Sequence, residues 1–262
     1  MPPAFLFDLD GTLYTDEGPV PGAVEAIEEL RRRGTPVRFV TNTTRTNRRA
    51  LISRLASYGF RIGHEELFTP AVAAVALCRE RGVGVVAPFV ARELLEDLNG
   101  LELAGGVVGA SGPRAPEAVL LADLGDAWTP ALLNEAFRHV LNGALFVVLQ
   151  KGRYWMGATG LELDAGAFAA AIEYATGKQA LECGKPCPAF YQSVLAGLEL
   201  TPPAGEVGRV VMVGDDLWND VEGARKAGLE GWLVRTGKFR EDVLASSGLT
   251  PDRVLGSVSE VI

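Results

Sequence analysis

Cysteine and histidine are scarce in this chain, which has three cysteines and two histidines among 262 residues. An odd and small number of cysteines argues against a disulfide framework, because disulfide-stapled folds carry cysteines at a much higher density. Cys183 and Cys187 lack the C-x-x-C spacing and the neighbouring histidines of a zinc site, so we expect packing roles for them. His64 and His139 are too few for a multi-histidine metal centre.

Several longer sequence signatures are absent as well. No apolar run reaches the length of a membrane-spanning helix and no signal-peptide pattern is visible, so we expect a cytoplasmic protein without a membrane partner. The net charge of -8 argues against nucleic acid as a partner, because phosphate-rich polymers are bound by clustered Lys and Arg. The chain also lacks a G-x-S-x-G elbow, a G-x-x-x-x-G-K-[ST] loop and a G-x-G-x-x-G motif after a strand. Serine-hydrolase and common nucleotide-binding folds therefore lack support.

What the chain does have is an alternation of apolar runs and helical patterns, in a composition that is 48% hydrophobic. This alternation is typical of a doubly wound, Rossmann-like parallel sheet with crossover helices. Residues 83–160 differ, because they hold short β-like runs joined by glycine-rich connections. Since this stretch is much longer than a single crossover, we predict an α/β core of residues 1–79 and 180–262 with an inserted, smaller α/β domain of residues 80–179.

Local signals place the helices of this alternation. Thr69 followed by Pro70 has the pattern of an N-cap and a first helical residue, and predicts a helix that continues to about Arg81. Apolar residues at three-to-four spacing predict further helices at about residues 22–33, 47–58, 130–141, 167–176 and 219–227.

Four polar clusters follow apolar, strand-like runs of the predicted core. In a parallel α/β sheet, ligands bind at the carboxyl ends of the strands, so we expect the four clusters to converge although they are far apart in sequence. The clusters are Asp8 with Asp10, Thr41 with Asn42, Lys185, and Asp215 with Asp216.

The residue types in these clusters suit phosphoryl chemistry. Asp8 and Asp215 offer carboxylate oxygens for a hard cation such as Mg²⁺, which relieves the repulsion between carboxylates and takes a substrate phosphate oxygen. Asp8 can attack phosphorus, and Asp10, on the same side of an extended chain, can serve as general acid and base. Gly11 lets the chain turn sharply past the metal.

A cradle for the phosphoryl group is predicted from the remaining clusters. Lys185 can balance one carboxylate and hold a phosphoryl oxygen, while Thr41 and Asn42 can donate hydrogen bonds to the others. Around the metal ligands, Asp216, Asn219 and Asp220 are candidates for supporting roles, although an N-cap role fits Asn219 and Asp220 equally well.

Four motifs in order resemble those of the haloacid dehalogenase-like phosphatases: "FDLDGT", "VTN", "GKP" and "VMVGDDLWNDVEGA". The long insert before "GKP" is similar to that of the NagD-type branch, which carries an α/β cap domain. The resemblance implies Mg²⁺-dependent hydrolysis through a phosphoaspartate on Asp8, with the metal held by Asp8, the Asp10 carbonyl and Asp215.

A smaller group within this branch is also indicated. "VTNTTRTNRR", "LQKGRYW" and "VRTGKFR" resemble segments of the phospholysine phosphohistidine inorganic pyrophosphate phosphatases and their close relatives. Members of that group often carry Ser where this chain has Asp10. The aspartate favours ordinary monoesterase chemistry, since it retains a proton donor for the leaving group.

These observations together predict a phosphatase acting on a small phosphorylated metabolite. Phosphoryl transfer to an acceptor other than water, as in a mutase, is one alternative, and a non-catalytic metabolite-binding module is another. Similar proteins form dimers through the cap, so a homodimer of this kind is also expected. Candidate substrate contacts in the cap are Lys151, Arg153, Tyr154 and Trp155, whose alternative role is that of a solvated strand end with one packed aromatic ring.

Overall fold

A computed structural model describes residues 3–109, 114–157, 160–196, 198 and 209–262 of the chain. The chain divides into two compact units. The first unit consists of Met1–Thr41, Arg49–Phe68 and Lys185–Ile262, and the second of Asn42–Arg48 and Thr69–Gly184. The limits of 80 and 179 for the inserted domain stay a prediction.

The strands are short, and those at the centre of the two parallel sheets are buried. In chain order they are β1 (Ala4–Asp8), β2 (Tyr14–Thr15), β3 (Gly18–Pro19), β4 (Val37–Val40), β5 (Leu67–Phe68), β6 (Val85–Phe89), β7 (Glu102–Leu103), β8 (Ala118–Leu121), β9 (Leu145–Val148), β10 (Tyr154–Gly157), β11 (Gly160–Leu163), β12 (Leu181–Glu182), β13 (Val210–Gly214), β14 (Glu230–Val234) and β15 (Arg253–Leu255).

The first five helices begin and end close to the predicted positions. They are α1 (Ala23–Arg32), α2 (Arg48–Ser57), α3 (Pro70–Glu80), α4 (Pro130–Leu141), α5 (Ala165–Thr176), α6 (Pro188–Ala196), α7 (Gly223–Lys226) and α8 (Glu241–Ser247).

The caps of two helices follow directly from the sequence. Thr69 caps α3 by accepting a hydrogen bond from the backbone N–H of Val72 at 3.4 Å, and Pro70 is the first helical residue. Thr129 caps α4 in the same way, with Leu132 as donor. In both cases the missing N–H of proline costs nothing, because that position has no partner within the helix.

The first unit is built around a six-stranded parallel sheet in the order β15-β14-β13-β1-β4-β5. Phe5 and Phe7 of β1 pack in one hydrophobic cluster with Ile27 of α1, Leu55 of α2 and Val213 of β13. Burial of each such side chain contributes about 1.5–3 kcal/mol. The cluster therefore anchors β1 and β13, whose carboxyl ends carry the polar residues.

The second unit has its own five-stranded parallel sheet in the order β12-β9-β8-β6-β7. Its core joins Phe89 and Val119 to Ala136 of α4 and Ile172 of α5. β10 and β11 form a separate antiparallel hairpin. The prediction of an α/β fold with parallel sheets is confirmed.

One predicted helix differs from the observed structure. Residues 217–222 form a wide helical turn, in which the Gly223 N–H donates to the carbonyl of Trp218, and only then does α7 begin. None of the helices in the described ranges has both the length and the apolar composition needed to cross a membrane.

Candidate active site

The carboxyl ends of three adjacent strands meet at one edge of the first unit's sheet. Asp8 is the last residue of β1, Thr41 follows β4 directly, and Asp215 follows β13. Asp8, Thr41 and Asp215 are all buried. Parallel pairing of these strands therefore brings together side chains from three of the predicted clusters.

Lys185 joins this edge through two buried ion pairs. Its Nζ lies 2.5 Å from Asp8 Oδ1 and 2.6 Å from Asp220 Oδ1. Burial alone would lower the pKa of Lys185, but the charges of Asp220 and Asp8 outweigh that effect and raise it. Lys185 is therefore cationic, and it fixes one oxygen of Asp8.

Three buried carboxylates form a compact acidic group. One oxygen from each of Asp8, Asp215 and Asp220 lies within 4.8 Å of the others. Burial, and then the charge of Asp8, raise the pKa of Asp215 to about 7. One lysine cannot balance the negative charge of three carboxylates. Carboxylate oxygens are the ligands that a hard divalent cation prefers, so the group suits such a cation.

Asp220 is distinguished from the other two carboxylates by its partners. Its Oδ1 accepts from Lys185, and its Oδ2 accepts the backbone N–H of Asp216 at 3.0 Å. Both oxygens are thus already hydrogen-bonded within the protein. Asp220 is therefore placed to hold Lys185 and the loop rather than to bind a cation.

Two glycines enclose the Asp215 carboxylate. Gly11 has φ of 85° and Gly237 has φ of 60°, and a Cβ on either residue would overlap the Oδ2 atom of Asp215. The backbone N–H of Lys238 donates to the same oxygen at 2.6 Å. A side chain at either position would displace the Asp215 carboxylate. Both positions also have a positive φ, which glycine adopts more readily than other residues.

Asp216 caps the wide helical turn that follows β13. Its Oδ1 accepts from the backbone N–H groups of Trp218 and Asn219 at 3.0 and 2.9 Å, and its Oδ2 accepts from the Asn219 side chain. Burial would raise the pKa of Asp216, but Lys238 and these donors outweigh it and lower the pKa. The alternative that Asn219 or Asp220 is the N-cap is wrong.

Asp10 lies at the rim of the site, where its side chain reaches solvent. The backbone of Asp10 forms an isolated β-bridge with Tyr14. Next to it, the Gly11 N–H donates a hydrogen bond to the Tyr14 carbonyl at 2.7 Å. Partial burial, and then the charge of Asp8, raise the pKa of the Asp10 carboxyl. A carboxyl that holds its proton more tightly is better suited to act as a general acid.

Asn42 belongs to the second unit, in the segment Asn42–Arg48. Its Oδ1 lies 2.8 Å from the point where a Cβ on Gly184 would stand. Gly184 directly precedes Lys185 in the chain. Asn42 and Gly184 therefore lie next to each other within the second unit.

The four predicted cap contacts differ in their partners and exposure. Lys151 Nζ is paired with Glu173 at 2.6 Å, which gives it a structural partner, whereas Arg153 and Tyr154 are exposed at the start of the hairpin. Trp155 lies beneath the guanidinium of Arg45, whose carbon is 4.5 Å from the ring centre.

Sequence reasoning assigned no role to Thr236, Gly237 and Lys238, which follow β14. The Thr236 hydroxyl donates to the carbonyl of Gly11, and Lys238 Nζ lies 3.3 Å from Asp216 Oδ2. The signal was available, because these polar residues follow a strand-like run as the other clusters do.

Comparison with known proteins identifies the family. A model of haloacid dehalogenase-like hydrolases matches residues 5–104, and a HAD-hydrolase-like model matches residues 182–261. Haloacid dehalogenase-like hydrolase domain-containing protein 2 from Rattus norvegicus is 38% identical over 237 residues, which cover 90% of this chain and 85% of that protein. This chain belongs to the haloacid dehalogenase-like hydrolases. Phospholysine phosphohistidine inorganic pyrophosphate phosphatase from Homo sapiens is 36% identical over 242 residues, or 90% of this chain and 83% of that protein.

Solved structures place the chain within the NagD-type branch of the family. NagD from the E. coli K-12 strain superposes with a TM-score of 0.84 at 25% identity, covering 100% of this chain and 99% of NagD. Glycerol phosphate phosphatase from Mycobacterium tuberculosis in complex with magnesium gives a TM-score of 0.80 at 26% identity, covering 97% and 74% of the two chains. This member of the family is an enzyme of the phosphatase type.

Proposed function

We propose that this enzyme is a Mg²⁺-dependent phosphatase that hydrolyses a small phosphorylated metabolite through a phosphoaspartate on Asp8. One observation carries the proposal. The Asp8 carboxylate is buried at the end of β1, with Oδ1 held 2.5 Å from Lys185 Nζ and Asp215 close by. The magnesium in the related glycerol phosphate phosphatase supports the choice of cation.

The metal-binding groups in this proposal are Asp8, the Asp10 carbonyl and Asp215. Bound there, Mg²⁺ would supply positive charge that offsets the buried carboxylates and the phosphoryl oxygens. Asp220 stays outside this set, since its oxygens are already used by Lys185 and by the Asp216 N–H.

In the first chemical step, a carboxylate oxygen of Asp8 forms a bond to phosphorus while the bond from phosphorus to the leaving oxygen breaks. Asp10 gives its proton to that oxygen, so that no negative charge has to build up there as the bond breaks. Lys185, Thr41 and Asn42 hold the phosphoryl oxygens and favour the developing charge. The product of this step is an acyl phosphate on Asp8.

In the second step, water attacks phosphorus and the bond to Asp8 breaks. Asp10, now ionised, takes the proton from the water, so both residues return to their starting states. Inorganic phosphate leaves. If an acceptor hydroxyl took the place of water, the same residues would perform a phosphoryl transfer instead.

The first prediction tests the nucleophile with Asp8→Asn, which keeps the shape of the side chain. We expect p-nitrophenyl phosphate hydrolysis to fall by ~10³-fold or more, because an amide cannot form the acyl phosphate. Circular dichroism should show an unchanged fold. Retention of most of the wild-type activity would refute the mechanism.

A matched measurement separates hydrolysis from transfer. With the wild-type enzyme and a sugar phosphate, released phosphate should equal released sugar at every time point. A deficit of free phosphate, together with a newly phosphorylated acceptor, would instead favour the mutase alternative.

A further inference from the structure

A segment of three residues after β14, Thr236–Lys238, contacts both the Asp215 carboxylate and the turn after β1. We call this segment the β14 loop. Because β14 pairs with β13 in the sheet, the loop lies at the same carboxyl edge as Asp215. All of these residues belong to the first unit. The proposed reaction assigns the loop no role.

Two hydrogen bonds decide where the β14 loop lies. The Thr236 hydroxyl donates to the carbonyl of the buried Gly11 at 2.5 Å, and the Lys238 backbone N–H donates to Asp215 Oδ2 at 2.6 Å. Lys238 Nζ also lies 3.3 Å from Asp216 Oδ2, but the lysine side chain is 71% exposed. Exposed ion pairs contribute little, so the two hydrogen bonds are the main anchors of the loop.

Close packing restricts the Asp215 carboxylate. A Cβ on Gly237 would stand 2.1 Å from Asp215 Oδ2 and 2.5 Å from the Cα of Gly11. A Cβ on Gly11 would stand 2.1 Å from the same oxygen. The backbones of the β14 loop and of the turn after β1 therefore both pack against Oδ2, and this oxygen cannot move toward either of them.

The two oxygens of Asp215 therefore have different surroundings. Oδ2 accepts the charge-assisted hydrogen bond from Lys238, whereas Oδ1 accepts no hydrogen bond from any residue that the structure describes. A cation bound to both oxygens would compete with the N–H group for Oδ2. A cation bound to Oδ1 alone would leave the hydrogen bond intact, so the carboxylate is arranged to offer one oxygen.

Coordination through one oxygen affects two common cations differently. Mg²⁺ requires nearly octahedral geometry, and the two oxygens of one carboxylate lie too close together to fill two octahedral positions well. Ca²⁺ takes about 6–8 oxygen ligands in a flexible geometry and accepts both oxygens of a carboxylate. A carboxylate that offers one oxygen therefore costs Ca²⁺ a ligand and costs Mg²⁺ none.

We propose that the β14 loop makes Asp215 a one-oxygen ligand and so favours Mg²⁺ over Ca²⁺, with Thr236 as the positioning residue of the loop. The inference rests on the proposed function, since it concerns how the metal site of that same enzyme selects its cation. Thr236 acts through Gly11 and through the Lys238 N–H, and itself contacts no cation. Without the Thr236 hydroxyl, the loop loses one of its two anchors and Oδ2 becomes available as a second ligand.

Direct binding of each cation tests the proposal without turnover. The full-length protein is freed of metal with EDTA and dialysed, and Mg²⁺ or Ca²⁺ is then titrated by calorimetry. Thr236→Val keeps the shape of the side chain but removes the donor. The ratio of the Ca²⁺ Kd to the Mg²⁺ Kd should fall by about 3- to 10-fold, the size of effect expected for one net hydrogen bond. Thr236→Ser keeps the hydroxyl and should stay within about 2-fold of the wild-type ratio.

The matched control is Thr176→Val, on α5 in the second unit. The Thr176 hydroxyl also donates to a backbone carbonyl, that of Ile172, at 2.7 Å. This control should leave the ratio unchanged, whatever its effect on the melting temperature. Equal weakening of both cations in Thr236→Val, or the same shift of the ratio in Thr176→Val, would overturn the inference.

Infrared difference spectra show how Asp215 coordinates Ca²⁺. The gap between the antisymmetric and symmetric carboxylate stretches narrows when both oxygens bind one cation, and subtraction of the Asp215→Asn spectrum isolates this carboxylate. The Ca²⁺-loaded wild type should show the wide gap of a one-oxygen ligand, and Thr236→Val the narrow gap. A narrow gap in the wild type, or a wide gap in Thr236→Val, would overturn the inference. The wild-type measurement does not depend on the folding of any Thr236 variant.

Failure of the proposed function has a different signature. The wild type would then bind no Mg²⁺ in the titration, or would release no phosphate from p-nitrophenyl phosphate in its presence. If Mg²⁺ binds and supports turnover while Thr236→Val has the wild-type ratio, only the role of the β14 loop is wrong.

Discussion

Asp10 lies at the rim of the site, and it is the residue at which the chain departs from the serine-bearing group that its motifs resemble. The side chain reaches solvent, while partial burial and the charge of Asp8 raise its pKa. A carboxyl in this position can protonate a poor leaving group such as an alkoxide, whereas serine cannot. The residue therefore favours substrates whose leaving oxygen needs a proton.

A second prediction follows for Asp10→Ser, which keeps the backbone carbonyl proposed to bind the metal. Hydrolysis of an alkyl phosphate should fall by ~10²-fold or more, within the usual range for acid-base catalysis. The first step with an aryl phosphate should suffer less, because phenolate leaves readily. A burst of phenol should then appear as phosphoaspartate accumulates. Equal losses on both substrates, without a burst, would show that Asp10 acts structurally or through the metal.

At the scale of elements, the wide turn after β13 connects the edge of the sheet that carries Asp215 with α7. Asp216 caps this turn through two backbone N–H groups, and its own N–H holds Asp220, the partner of Lys185. The capping interaction therefore supports the position of Lys185 as well as the turn itself.

A third prediction concerns this cap. Asp216→Ala removes both side-chain acceptors and should lower the free energy of unfolding by about 1 kcal/mol, the usual cost of losing an N-cap. Turnover should also fall, because Asp220 and Lys185 lose support. Asp216→Asn keeps an acceptor oxygen and is the matched control. Thermal unfolding and kcat are the readouts, and equal effects of the two variants would indicate that charge, not capping, matters.

The sequence predicts helices with local caps and regular apolar spacing better than segments that depart from regular helix geometry. Helices such as α3 follow from an N-cap, a proline and apolar spacing, all of which are local. The sequence predicts an ordinary helix from about residue 219, whereas residues 217–222 form the wide turn. Apolar spacing does not reveal the extra residue in each hydrogen-bonded ring of such a turn.

The same distinction applies to the site. Asp8 and Asp215 could be expected to meet because β1 and β13 are neighbouring parallel strands whose ends share one edge of the sheet. Trp155 beneath Arg45, and Lys151 against Glu173, could not be expected, since pairs so distant in sequence leave no periodic trace. Gly237 was missed because its role depends on the Asp215 carboxylate that fills the space beside it.

For the molecule as a whole, the buried acidic group links stability to pH and to metal. In the metal-free protein, Asp215 holds its proton up to about pH 7, whereas its ordinary pKa is 3.8. Between these values the folded chain binds a proton that the unfolded chain has released. The stabilisation from this group is therefore complete below about pH 4 and is lost as pH rises through about 7.

The last prediction concerns the melting temperature of the protein measured in EDTA. It should fall between pH 5 and 7.5 more steeply in the wild type than in Asp215→Asn, which has no proton to lose at that position. At pH 7.5, Mg²⁺ at a hundred times its Kd should stabilise the wild type by about 2.7 kcal/mol through mass action. Asp215→Asn should show a much smaller stabilisation, because an amide oxygen is a poorer ligand for Mg²⁺.

Asp242→Asn, at an exposed carboxylate of α8, is the control and should behave as the wild type does. Parallel pH profiles for wild type and Asp215→Asn, with equal Mg²⁺ shifts, would remove Asp215 from the metal-binding group, since neither the proton nor the cation would then depend on its carboxylate.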